Sequence, residues 1–252
     1  MQEPVSATDS EKGVALVTGG AVRVGRAISE ALAAMGYHVA VNYFESRRAA
    51  AQVVETIRGA GGSATSLGAD VTDPDACRTL VERALELGPI GVLVNNAALF
   101  ERRAFLDLDD EIWHRHLRLN LEAPYRLSLL VGRQMWSAGR GRIINICGTV
   151  GIEPRGEYSP YCVAKHGLDE LTRCCAEALA PRVQVNGIAP GAILFPKGTD
   201  ANERERILAR VPAGKAGSPE DIAAVVCFLA TAPDYVTGTV LPVDGGASVH
   251  DS

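Results

Sequence analysis

The sequence predicts a single α/β domain: one doubly wound parallel sheet with helices on both faces. Two observations carry this. Short runs rich in Val and Ile alternate with longer stretches of helical period, and no repeat, low-complexity block or Pro/Gly/Ser linker divides the chain. Strands buried on both faces read as continuous apolar runs, and strand–helix alternation puts them in one parallel sheet. With 252 residues, 47% of them hydrophobic and 22% charged, the chain is long enough to bury such a core.

The elements follow in order. Residues 1–12 are polar and mixed in charge and are read as a flexible tail, with one domain over 13–252. Val14–Val17 is the first strand. The next stretch sets Val24, Ala27, Ile28, Ala31, Leu32 and Met35 on one helical face, and Gly36 is its stop. His38–Tyr43 is the second strand, and a weaker one is expected at 63–69. Ile90–Asn95, 142–146, 183–188 and Val240–Val243 complete the sheet. Further helices are expected at 47–59, 75–86, 109–137, 160–179 and 219–230, the fourth strand and the fifth being joined by one long helix.

Composition excludes several functions. The net charge of −5, from 25 basic and 30 acidic residues, argues against a nucleic-acid partner. No apolar run approaches the roughly 20 residues that cross a bilayer. The six cysteines have no Cys-x-x-Cys spacing and no His pair at ligand spacing, so no metal is expected. Free thiols fit a cytoplasmic protein.

Ligands of such sheets bind beyond the C-terminal ends of the strands. Directly after the first run comes Thr18-Gly19-Gly20-Ala21-Val22-Arg23-Val24-Gly25. Glycines there let the backbone turn and approach a pyrophosphate, and the helix start offers free N–H groups. Asn95-Asn96-Ala97-Ala98 follows the fourth strand, Tyr161-Cys162-Val163-Ala164-Lys165 opens a helix, and Pro190-Gly191 follows the sixth. Four residues apart, Tyr161 and Lys165 share one helical face. A free phenol titrates at about 10, and a nearby ammonium lowers that value, which suits proton transfer.

Taken together, these motifs resemble the short-chain dehydrogenase/reductase family over about 13–246. The resemblance implies a Rossmann-type fold and a reductase in which Tyr161 donates the proton, Lys165 tunes it and bonds the nicotinamide ribose, and Asn120 holds a relay water. It places Gly19, Arg23, Val24, Gly25, Ser46, Arg47, Asp70, Val71, Asn96, Ala97, Pro190, Gly191 and Ile193 at the dinucleotide, with Asp70 on the adenine amino group and the Ile193 backbone on the carboxamide. Arg23, at a position usually glycine, and Asn96-Ala97-Ala98-Leu99-Phe100 look like the pteridine reductase subgroup, which implies Phe100 stacking on a flat substrate ring. The acid that selects NAD is replaced by Tyr43, while Arg23, Ser46 and Arg47 supply donors for a 2′-phosphate, so NADPH is the expected cofactor.

One position departs from the family. Thirteen residues before Tyr161, where a Ser or Asp is usual, stands Gly148. The Thr149 hydroxyl takes over, or a water does, or the polarising group is missing. The expected reaction is hydride transfer from NADPH to a carbonyl or a pterin-like C=N. The alternatives are a 3-oxoacyl-thioester or other ketone reductase, and, as a different class, a non-catalytic NADP-binding regulator. The apolar stretch 235–246 is an exposed sheet edge, and relatives cover theirs by packing into tetramers, so a homotetramer is expected.

Overall fold

Alternation within each apolar run decides how the layers form. The computed structural model describes residues 12–148, 156–195 and 199–250; the expected tail, except Lys12, and Thr149 lie outside them. In β1 (Val14–Val17), Val14 and Leu16 face one layer while Ala15 and Val17 face the other, and all four are buried. The remaining strands are β2 (His38–Tyr43), β3 (Ser63–Gly68), β4 (Ile90–Asn95), β5 (Gly141–Ile146), β6 (Val183–Pro190) and β7 (Val240–Val243). They form one parallel sheet in the order β3-β2-β1-β4-β5-β6-β7.

Helices α1 (Arg23–Ala34), α2 (Arg47–Gly59) and α8 (Pro219–Thr231) cover one face, through Ile28, Leu32, Val53, Ile57, Ile222 and Leu229. Helices α3 (Pro74–Leu85), α5 (Ala123–Ala138) and α6 (Ser159–Leu179) cover the other, with Leu80, Leu127, Val131, Met135 and Ala176 in its core. Each fully buried Leu or Ile contributes roughly 1.5–3 kcal/mol. The helix boundaries have local causes. The Asp73 carboxylate accepts from Asp75 N with Pro74 in the first turn of α3, and Ser218 and Asp221 form a reciprocal capping box on α8. Gly139 ends α5 in the left-handed conformation at φ 78.

The helix expected over 109–137 is broken. It comprises α4 (Asp110–Leu117), one π turn (Arg118–Glu122) and α5. Pro124 has no N–H to give the Asn120 carbonyl four residues back, and the ladder shifts so that Ala123 N donates to Arg118 O. The charged stretch 202–206, which reads as helical in the sequence, lies in the short helix α7 (Ala201–Leu208), and a further short helix, α9 (Ala247–His250), was not expected. Among the described residues no helix is long and apolar enough to cross a membrane, and no cluster of metal-ligating side chains occurs. All six cysteines are free thiols.

Candidate active site

The C-terminal ends of β1, β4, β5 and β6 bring the expected residues to one edge. The turn after β1 is knitted to the segment after β4. Thr18 Oγ1 accepts from Asn96 N (2.9 Å) and Ala97 N (3.0 Å), and Asn96 Nδ2 donates to Thr18 O (2.9 Å) and Gly19 O (3.2 Å). Asn96 and Ala97 therefore fix the shape of the turn. A Cβ on Gly25 would lie 2.1 Å from Gly19 O, and Gly19 itself has φ 58, so only bare backbone fits here. This is the cradle a pyrophosphate needs at a helix N-terminus.

Arg23 also takes a left-handed conformation, φ 52, the one non-glycine residue to do so among those described. That costs on the order of 1–2 kcal/mol, which glycine would avoid. Its Nη2 donates to Leu194 O (3.4 Å), linking the turn to the loop after β6. Val24, the second residue of α1, is half-buried against the core. At the end of β2 the Tyr43 ring lies over Gly68, where a Cβ would come 3.0 Å from its hydroxyl. Ser46 precedes α2 without capping it, and the exposed Arg47 side chain has no acid partner among the described residues. Asp70 Oδ1 accepts from Thr72 N (2.9 Å) and Oγ1 (2.8 Å), which holds the carboxyl at the end of β3 with the other oxygen free; Val71 beside it is buried. After β6, Gly191 is pressed against Asp244, where a Cβ would lie 2.6 Å from its Cα, and Ile193 packs against the core beyond Pro190.

Tyr161 and Lys165, the expected reacting pair, sit at the start of α6. Lys165 is buried, and its Nζ donates to Ile146 O (2.7 Å) while lying 5.9 Å from the Tyr161 ring centroid. Burial pushes the ammonium down to about 8. Burial also pushes the Tyr161 phenol above its ordinary value, against the expectation that Lys165 would lower it. Desolvation of the phenolate outweighs a cation turned toward a carbonyl.

Three of the expected positions have neighbours that sequence spacing does not reveal. The Asn120 amide is not free for a water: Oδ1 accepts from Leu99 N (3.1 Å) and Nδ2 donates to Leu99 O (3.0 Å), pinning the segment that carries Phe100. Phe100 does not offer two open faces. One face stacks on Tyr158 (4.5 Å, 7°), and Tyr161 meets the ring edgewise (4.8 Å, 80°). Position 148 is not an empty slot awaiting a side chain, because a Cβ there would lie 2.8 Å from Lys165 Cβ. The expected role of Thr149 falls outside the described residues. Sequence reasoning missed Tyr158, three residues before Tyr161 with an aromatic ring at the same helix start, and Asp169, one turn after Lys165.

The family profile described as "Enoyl-(Acyl carrier protein) reductase" matches residues 20–248. The chain is 38% identical over 240 residues to a 3-oxoacyl-[acyl-carrier-protein] reductase of Synechocystis, covering 92% of this chain and 96% of that one. The chain is a short-chain dehydrogenase/reductase. This short-chain dehydrogenase/reductase is also 36% identical to a 2-dehydro-3-deoxy-D-gluconate 5-dehydrogenase of Bacillus subtilis, covering 92% of this chain and 93% of the relative. A variant actinorhodin polyketide ketoreductase solved with NADPH superposes with a TM-score of 0.88 at 30% identity, covering 95% and 98% of the two chains. The short-chain dehydrogenase/reductase is thus an oxidoreductase that works with NAD(P).

Restoring the family's hydroxyl by Gly148→Ser should harm rather than help. Crowding of Lys165 Cβ is expected to cost about 1–3 kcal/mol of stability. Displacing Lys165 should lower turnover as well. Thermal melts beside NADPH-linked rates check this, and a variant as stable and as active as the native enzyme would refute it.

Proposed function

We propose that the enzyme is an NADPH-dependent ketone reductase. The observation that carries this reading is the buried Lys165 sharing a helical face with Tyr161, its Nζ 5.9 Å from that ring's centroid. When bound, NADPH supplies the hydride. Its pyrophosphate fits the bare backbone at Gly19 and Gly25, and the open Ser46 and Arg47 suit a 2′-phosphate. Tyr161 then gives its hydroxyl proton to the carbonyl oxygen, and the Lys165 charge stabilises the phenolate left behind. Asn120 holds the relay water through its main-chain carbonyl, which has lost its α-helical donor at Pro124.

The relatives favour a 3-oxoacyl thioester or a sugar-derived ketone as substrate. A pterin-like C=N is the second reading, supported by the half-exposed Phe100 stacked on Tyr158. Following NADPH absorbance with a 3-oxoacyl thioester, keto-sugar acids and a dihydropterin tests both. Tight NADPH binding with no turnover on any of them would instead mark a non-catalytic cofactor-binding regulator.

Arg47→Ala should weaken NADPH about tenfold or more and leave NADH nearly unchanged, as loss of one charge-assisted hydrogen bond of about 1.5–3 kcal/mol requires. Equal effects on both cofactors, measured by fluorescence titration, would rule out contact with the 2′-phosphate. For assembly we propose a homotetramer. β7 is only half-buried, and Phe228, Tyr235 and Val249 stand exposed. A sheet edge of this kind is normally covered. Light scattering at micromolar concentration should give four times the 26.6 kDa chain mass, and a monomer would refute it.

A further inference from the structure

Behind the reacting pair runs a buried polar chain that the reaction as derived leaves unused. It starts at Ser128 on α5, whose hydroxyl accepts from Asn95 Nδ2 (3.2 Å). Asn95 Nδ2 also donates to Asn145 Oδ1 (2.8 Å), and Asn145 Nδ2 donates to Thr172 Oγ1 (2.9 Å). The Cys147 thiol, just beyond β5, lies against Thr172 and Asp169 on α6. Ser128, Asn95, Asn145, Thr172 and Cys147 are all buried.

The chain ends at Asp169, four residues after Lys165 and so one turn further along the same face of α6. Its Oδ1 is buried without a hydrogen-bond partner, which is costly for a carboxyl and calls for a compensating charge. Lys165 is the complementary case: a buried ammonium whose hydrogen bond goes to a neutral carbonyl, Ile146 O. The two are not in direct ion contact; one helical turn of α6 separates them on a shared face, close enough for their charges to favour one another.

We propose that Asp169 is a positioning residue, a half-buried counter-charge one helical turn from Lys165 that keeps Lys165 protonated, with the Cys147 thiol beside its carboxyl. The idea rests on the reading of Tyr161 and Lys165 as the reacting pair.

Among the described residues, the charged and titratable groups that face the two are Tyr161, Cys147, His166 and Arg173. Cys147 at the end of β5 and Asp169 on α6 both favour the Lys165 cation against burial. His166 and Arg173, on the same helix, favour the ionised form of Asp169, and burial opposes it. Removing the carboxylate therefore lets Lys165 lose its proton at lower pH. An opposite charge in close contact shifts a pKa by about 1–3 units, and a through-space pair by less.

Asp169→Asn in the full chain should move the alkaline limb of the kcat/KM profile down by about half a pH unit or more. NADPH affinity should stay within about twofold, and Asp169→Glu should restore much of the limb, since a packing role alone would not follow charge. An unmoved limb overturns the proposal. A second measurement needs neither substrate nor variant folding. The chain has four lysines, Lys12, Lys165, Lys197 and Lys215. With carbon-13 at the lysine ε position, the slowest-exchanging, most shifted signal should titrate near 8 and show a second, smaller inflection in the acid range as Asp169 takes a proton. A single inflection overturns the proposal even if every carbonyl tested is inert, an outcome that would count against the ketone reductase reading instead.

Discussion

Replacing Tyr161 by Phe is expected to lower turnover at least about a hundredfold while leaving NADPH affinity within a few fold. The lower range of acid–base catalysis sets that magnitude. The substitution removes one oxygen and keeps the ring, so its edgewise contact with Phe100 at 4.8 Å survives and packing loss does not mimic the effect. Burial holds the native Tyr161 as a phenol, the form that can give a proton to a reduced carbonyl. Steady-state rates on a verified substrate, beside equilibrium titration of NADPH, separate chemistry from binding. Turnover close to the native value would exclude Tyr161 as the essential acid.

Lys165→Met should act in opposite directions on activity and stability. Turnover should fall about a hundredfold, because the stabilising charge beside the phenolate is gone. Stability should rise, because the native fold buries a cation with only the Ile146 carbonyl to bond it. The folded-state value of about 8 lies below the ordinary 10.5, so between these values the unfolded chain holds more protons than the native one. The penalty is therefore complete below about pH 8 and gone by about pH 10.5. At 1.36 kcal/mol per unit, and allowing for the lost Ile146 hydrogen bond, the variant should gain on the order of 1–3 kcal/mol at neutral pH. Denaturant melts across that range should show the advantage shrinking as pH rises. A variant less stable than the native enzyme at pH 7 would show that Ile146 O matters more than the buried charge.

Legibility in the sequence follows how local each cause is. The sheet could be read because strands buried on both faces must be apolar throughout, as at Val14–Val17 and Ile90–Asn95. Ser63–Gly68 was weak for the same reason: at the sheet edge it buries only Ala64 and Leu67, so its composition carries less of the pattern. The break at Arg118–Glu122 escaped notice because the apolar period continues through it, although Pro124 was visible four residues after Asn120. The glycines and the Tyr161–Lys165 pair were legible because backbone approach and helical spacing are written in neighbouring residues. Where partners come from distant segments, the sequence was silent. Asn120 turns to Leu99, Phe100 to Tyr158, and Asp169 looks like an ordinary surface charge until Cys147 is folded against it.

The strand order has a consequence for biosynthesis. β1 is made first, yet it lies between β2 and β4, so one side of it stays open until Asn95 has left the ribosome. Parallel pairings of this span form slowly, and an unpaired Val-rich strand invites association with other chains in the interval. Soluble yield on overexpression should therefore rise as translation is slowed by cooling, and nascent chains arrested before β4 should be captured by chaperones more strongly than those arrested after it.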